Sequence, residues 1–192
     1  MNPKIQLIQG FLDRAQCEEL ISLARPRLTR SRVWSVEKGE EVEDDYRLSE
    51  QAFFGVQENK LIAKIEEKIS RVTDTKIENG EGIQVVHYSP GGYYKAHFDY
   101  FDPQLETNKS VLDRGGQRVL TFMVYLNDVA EGGNTYFSKM GLRVEPKQGR
   151  AVCWTNVLPD GSVDAETEHI AEPVLQGEKW IFTKWVRERT FI

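Results

Sequence analysis

The 192-residue sequence has no apolar run approaching the ~20 residues that a membrane-spanning helix requires. It lacks any excess of positive charge: 25 Lys and Arg against 30 Asp and Glu leave a net charge of -5, the wrong sign for a chain whose main partner is nucleic acid. Cysteine is scarce. Cys17 and Cys153 have no neighbour at metal-ligand spacing, which predicts two buried free thiols in a reducing compartment. Met1 to Gly10 holds one lysine and no extended apolar stretch, so it does not read as a secretory leader, and the expected location is the cytoplasm. No internal repeat, low-complexity segment or linker divides the chain. With 40% hydrophobic and 29% charged residues, it reads as one globular domain over 1–192.

The N-terminal part, 1–80, has the pattern of a helical and strand support. A short strand is expected over Ile5 to Ile8. Asp13 with Gln16 three residues on has capping-box spacing, Leu20, Ile21 and Leu23 supply apolar positions, and Pro26 stops the helix. A second helix is predicted from about Glu58 to Val72, with Leu61, Ile62, Ile65 and Ile69 on one face. Between them, Glu37 to Asp45 carries six acidic residues and one lysine, which reads as a solvated loop rather than a dock for a basic substrate. From residue 81 the character changes. Strand-like stretches at about 82–88, 93–99, 118–126, 134–137, 142–145, 150–154, 168–175 and 179–187 are punctuated by Pro-Gly-Gly, Gly-Gly-Gln, Glu-Gly-Gly-Asn and Lys-Gln-Gly turns. The fold expected is mainly β with flanking helices: a double-stranded β-helix, or jelly roll, over 81–192, with the two N-terminal helices packed on one sheet.

Within that frame His97-Phe-Asp99 stands out. Alternate residues of a strand share a face, so imidazole and carboxylate would point the same way. A third imidazole, His169, would complete a set of two histidines and one carboxylate. Such a set leaves three positions open on a ferrous ion and suits oxygen activation rather than a closed structural site. The tripeptide alone is a weak signal, because ordinary strand residues facing solvent would look the same. Parity along the last strand puts Lys179, Ile181, Thr183, Trp185 and Arg187 on one face and Trp180, Phe182, Lys184 and Val186 on the other. Lys179 could snorkel at a sheet edge, or reach inward, where an unpaired ammonium would be costly without an anion. His87 reads as a packed or edge histidine and Trp154 as core. The stretch from Tyr100-Phe101 to Gln117 reads as a plain surface loop or, the preferred reading, a lid over the substrate.

The segment Ile83 to Glu188 resembles the catalytic domain of the collagen-type prolyl 4-hydroxylases, within the Fe(II)- and 2-oxoglutarate-dependent dioxygenases. The matching text is Tyr88-Ser-Pro-Gly-Gly-Tyr-Tyr94-Lys-Ala-His97-Phe-Asp99-Tyr-Phe, Gly115-Gly-Gln-Arg118-Val-Leu-Thr, Val124-Tyr-Leu-Asn-Asp-Val-Ala-Glu-Gly-Gly-Asn-Thr135, and His169-Ile-Ala-Glu-Pro-Val-Leu-Gln-Gly-Glu-Lys179-Trp-Ile-Phe-Thr-Lys-Trp185. The resemblance implies that His97, Asp99 and His169 hold iron and that Lys179 pairs with the distal carboxylate of 2-oxoglutarate. It implies that the hydroxyls of Tyr88 and Thr135 help to hold that carboxylate, and that Tyr94, Arg118 and Trp185 line the peptide side. It further implies O2 as co-reactant, ascorbate as reductant, and a proline-containing peptide or protein as partner, with no nucleic acid and no membrane. Asp99 points to hydroxylation, since the related halogenases lack that carboxylate. Two features set this chain apart. Strict alternation from His97 puts Tyr93 rather than Tyr94 on the metal-facing side unless the strand bends at Gly91-Gly92, and Arg187 stands where many family members have histidine. The competing readings are the same chemistry on a free amino acid or small metabolite, and a non-catalytic jelly roll that binds a metal.

Overall fold

The computed structural model describes residues 5–35 and 37–192. Its strands in chain order are β1 (Ile5–Ile8), β2 (Thr29–Arg30), β3 (Val33–Ser35), β4 (Glu40–Val42), β5 (Arg47–Leu48), β6 (Glu50–Phe54), β7 (Ile83–Tyr88) and β8 (Tyr93–His97). They continue with β9 (Arg118–Tyr125), β10 (Glu131–Gly132), β11 (Thr135–Phe137), β12 (Leu142–Val144), β13 (Ala151–Thr155), β14 (His169–Ala171), β15 (Val174–Gln176) and β16 (Lys179–Arg187). The helices are α1 (Arg14–Ala24), α2 (Lys60–Thr73) and α3 (Lys109–Asp113). A seven-stranded antiparallel sheet runs β1-β13-β9-β16-β7-β6-β2, and a five-stranded one runs β12-β11-β14-β8-β5. The expected mainly β fold with two facing sheets is therefore present. No described helix is long and apolar enough to cross a membrane.

Period-two alternation divides the large sheet into two faces. Trp180, Phe182, Phe122, Val124, Ile83, Val85, Ala151 and Cys153 point outward and are covered by Leu20, Ala24, Ile62, Ile65 and Ile69 of α1 and α2. The opposite face sends Val86, Tyr88, Met123, Tyr125, Val152, Trp154 and Ile181 toward Phe137, Val144 and Ala171 of the smaller sheet. Burying Phe or Leu side chains of this kind is worth roughly 1.5–3 kcal/mol each, so the helices stabilise the sheet from behind and leave its other face to form a site. α1 begins at the expected capping box, Asp13 with Gln16, and α2 begins at Asn59, whose side chain accepts from Leu61 and Ile62 N–H. Both thiols are buried and unpaired, and the Cys17 thiol is pushed up to about 11 by its surroundings, mainly burial.

Several expectations change. The stretch 29–54, in which no strand was expected, holds five short ones: β2 lies on β6 and β3 on β4 within it, while β6 also lies on β7 and β5 on β8. The acidic run is partly a hairpin, β3 with β4, although its six carboxylates stay exposed. The strand expected over 93–99 ends at His97, and the one over 168–175 is broken into β14 and β15 around Pro173, which has no N–H to donate.

Candidate metal centre and its cavity

His97 at the end of β8 and His169 at the start of β14 are directly paired across the two strands. Asp99 lies just past the end of β8. The ligating atoms of these three residues all fall within 4.8 Å of one another, with His169 Nε2 at 3.9 Å from Asp99 Oδ2. Each ring is oriented by a carbonyl: His97 Nδ1–H donates to Lys95 O at 2.8 Å and His169 Nδ1–H to Thr167 O at 2.9 Å. A carbonyl can only accept, so both protons sit on Nδ1 and both Nε2 lone pairs face the gap between the residues. Asp99 Oδ2 accepts from Thr121 Oγ1 at 2.8 Å, and Thr121 Oγ1 in turn accepts from Asn156 Nδ2 at 2.9 Å.

Electrostatics prepare the same ligand set. Burial, with His169 alongside, pushes His97 down to about 3, so its imidazole is neutral at physiological pH. Burial alone would raise Asp99, but His169, His97, Arg118 and the Thr121 hydroxyl outweigh it and hold the carboxyl below its usual range. Two imidazoles with their Nε2 atoms turned to one carboxylate form a donor set that fits ferrous iron.

A cavity of about 920 Å³ opens from this floor, and all nine residues named from the sequence line it: His97, Asp99, His169, Lys179, Tyr88, Thr135, Tyr94, Arg118 and Trp185. Lys179 reaches inward rather than snorkelling. It is 1% exposed, donates to Gly133 O at 2.9 Å, and sits 4.4 Å from the Tyr88 ring. Among the described residues no carboxylate forms an ion pair with it, and burial pushes its ammonium down to about 7, against a smaller upward pull from Glu172. A buried cation without a counter-ion at the end of a cavity is the arrangement an anionic ligand completes. Beside it, Tyr88 is buried opposite Lys179 on the neighbouring strand, and Thr135 Oγ1 lies 2.6 Å from the Tyr125 hydroxyl.

Tyr94 faces the metal side. The β8–β14 register pairs His97 with His169 and Tyr94 with Ala171, so three steps on β8 match two on β14. That bulge reverses the parity between Tyr94 and His97, and their rings stack at 3.5 Å and 16°. Simple alternation from His97 therefore fails, and the irregularity lies inside the strand rather than at Gly91-Gly92. Arg118 lines the cavity but is tied to the protein. Its Nε and Nη2 form a fork on Glu81 at 2.7 and 2.8 Å, while its guanidinium covers Trp185 at 3.8 Å.

Sequence reasoning missed several neighbours. Glu81 lines the same cavity, as does Arg47, which is buried against Ser49 Oγ at 2.9 Å and lies over Tyr94 at 4.8 Å; Arg187, singled out from the sequence, lines it too. Trp154 is core as expected, yet it also stands edge-on to His169 at 5.0 Å. An acid directly ahead of an apolar strand could have flagged Glu81, whereas nothing local marks Arg47, Thr121 or Asn156. His87 is packed on the far face between Glu50 and Glu178, stacked on Trp180 at 4.3 Å.

Comparison with known proteins agrees with this geometry. The family model of the 2OG-Fe(II) oxygenase superfamily matches residues 83–187. The chain is 36% identical over 202 residues to probable prolyl 4-hydroxylase 8 of Arabidopsis thaliana, covering 95% of this chain and 68% of the relative. It is 38% identical over 203 residues to prolyl 4-hydroxylase 1 of the same plant, covering 98% and 70%. It spans 64% of the length of probable prolyl 4-hydroxylase 7 from that plant. The crystal structure of the viral collagen prolyl hydroxylase of Paramecium Bursaria Chlorella virus-1, as its 2OG complex, superposes with a TM-score of 0.75 at 29% identity, over 97% of this chain and 96% of that one.

Proposed function

The chain belongs to the 2OG-Fe(II) oxygenase superfamily as a 2-oxoglutarate-dependent dioxygenase of the prolyl 4-hydroxylase type, using Fe(II), 2-oxoglutarate and O2, and from this premise we propose that it hydroxylates prolyl residues in a peptide or protein. The observation that carries the reading is the coexistence, in one cavity, of the His97–Asp99–His169 cluster and the buried, unpaired Lys179. His97, Asp99 and His169 would hold the iron, and Lys179 would receive the distal carboxylate of 2-oxoglutarate, with the Tyr88 and Thr135 hydroxyls beside it. Iron held by His97, Asp99 and His169 would supply the redox chemistry that couples oxidative decarboxylation of 2-oxoglutarate, giving succinate and CO2, to insertion of the second oxygen atom of O2 into a substrate C–H bond.

The protein's own task is positioning. Lys95 and Thr167 carbonyls hold the two imidazoles, Thr121 holds the Asp99 carboxylate, and Lys179 anchors the far end of the cosubstrate so that its reactive end meets the ligand cluster. Tyr94, Arg118 and Trp185 form the wall on the peptide side, a flat aromatic surface with a guanidinium over it that suits a proline ring and the adjoining backbone carbonyl. The two buried thiols support a cytoplasmic location.

The test is mass spectrometry of a proline-rich peptide panel beside free proline, with Fe(II), 2-oxoglutarate and ascorbate as reductant. Peptide hydroxyproline formed only with iron and cosubstrate supports the reading. Hydroxylation confined to free proline, or turnover indifferent to iron, overturns it.

A further inference from the structure

Arg187 lies two residues beyond Trp185 on the cavity side of β16, yet it is 1% exposed; both of its Nη atoms are held by protein groups, while its buried Nε has no hydrogen-bond partner among the described residues. Nη1 donates to Glu81 Oε1 at 3.0 Å. Nη2 donates to Arg114 O at 2.6 Å and to Val111 O. Those carbonyls lie at the C-terminal end of α3, where backbone acceptors run out of helical partners. The rings of Phe101 and Phe191 flank the group at 5.4 and 5.2 Å. Glu81 is the acid that also grips Arg118, so one guanidinium links the Glu81–Arg118 fork to the end of α3. Burial alone would raise the Glu81 carboxyl, but the two arginines outweigh it and hold it ionised.

The rest of the 101–117 segment is tied mainly at its feet. Gln117 bonds both the N–H and the C=O of Phe101, Glu188 N–H donates to Gln117 O, and Arg189 N–H donates to Gly115 O. Near the middle, Trp34 Nε1 donates to Asn108 Oδ1 at 2.7 Å. Arg189 Nη2 reaches Leu112 O at 3.3 Å from the exposed side, and Arg187 supplies the buried side-chain tie to the end of α3, whose Ser110, Val111 and Arg114 face the cavity. Only a planar fork with several donors can reach a carboxylate and two carbonyls together; a lysine is a point charge and a histidine is too short.

We infer that Arg187 is a positioning residue that locks the 101–117 segment onto the Glu81–Arg118 fork and so fixes the fit of the peptide beside the metal without contacting it. This rests on the prolyl-peptide reading above. The test compares Arg187→Ala and Arg187→Lys with the parent protein by amide hydrogen exchange and by steady-state kinetics. In both variants, amides of 105–115 exchange at least about tenfold faster while those of β9 and β16 keep their protection. The KM for peptide rises about tenfold or more, while the KM for 2-oxoglutarate and its uncoupled consumption stay within about twofold.

If Arg187→Ala does not fold, Arg187→Lys decides, because it keeps the charge beside Glu81 but cannot hold both carbonyls. Unchanged exchange over 105–115 in the lysine variant overturns the inference. So does an unchanged peptide KM, or an equal rise in the KM for 2-oxoglutarate. A parent protein that turns over no prolyl peptide refutes the proposed function instead, and the exchange data still decide whether Arg187 locks the segment.

Discussion

Replacing Lys179 with alanine removes a buried cation of the cavity that has no protein counter-ion among the described residues. Nothing else replaces it there, since Lys179 is 1% exposed and its polar contact is a single carbonyl. Truncating one member of a buried, hydrogen-bonded charge pair costs about 2–5 kcal/mol. At about 1.4 kcal/mol per decade, the apparent KM for 2-oxoglutarate should rise roughly 30- to 3,000-fold. The turnover number at saturating cosubstrate should fall far less, because the metal ligands are untouched. The assay is succinate release against 2-oxoglutarate concentration. It carries a pH signature too. Burial brings the free Lys179 down to about 7, so the ammonium that the dicarboxylate needs is lost as pH rises through that value. The KM for 2-oxoglutarate should therefore climb above neutrality in the parent protein and flatten in Lys179→Ala.

The stability sign is opposite. Between the folded value of about 7 and the usual 10.5, the unfolded chain binds more protons at this group. Its contribution to the stability of the ligand-free protein therefore rises with pH across that window. Lys179→Met should remove that slope and melt higher than the parent below pH 7. An unchanged KM for 2-oxoglutarate in Lys179→Ala would remove this residue from the cosubstrate site.

Other outcomes follow from the same contacts. His97→Ala, Asp99→Ala and His169→Ala should each abolish iron-dependent turnover and any thermal stabilisation by added Fe(II), whereas a fully active variant would refute the ligand set. Thr121→Val removes the hydroxyl that orients Asp99 and should weaken apparent iron affinity about 10- to 100-fold with little change in the KM for 2-oxoglutarate. The buried Glu66–Lys184 pair, at 2.5 Å, joins α2 to the outer face of β16. Glu66→Ala or Lys184→Met alone should destabilise the fold by about 3–5 kcal/mol, and the double variant should recover much of that in denaturant unfolding.

The elements legible in sequence were those with a local signature. α1 carried its capping box, α2 its apolar stripe, and β16 its strict alternation, so Lys179, Trp185 and Arg187 could be placed on one face. The cluster of His97, Asp99 and His169 was anticipated because two of its members lie two residues apart and the third sits in a motif of its own. Non-local pairing was not legible. β5 and β6 are short and gain their ladders from β8 and β7, far along the chain, so no local pattern announced them. Tyr94 escaped simple alternation because a bulge is a property of two strands together, not of one. Thr121 and Asn156 were silent for the same reason: they meet each other across 35 residues, and Thr121 meets Asp99 across 22.

The most direct measurement is hydroxylation of a proline-containing peptide under isotopically labelled dioxygen, with succinate counted in the same reaction. The account predicts one labelled hydroxyl on a prolyl residue per succinate, absent without Fe(II) and absent in His169→Ala. An unlabelled product, or a product formed equally well without iron, would contradict it.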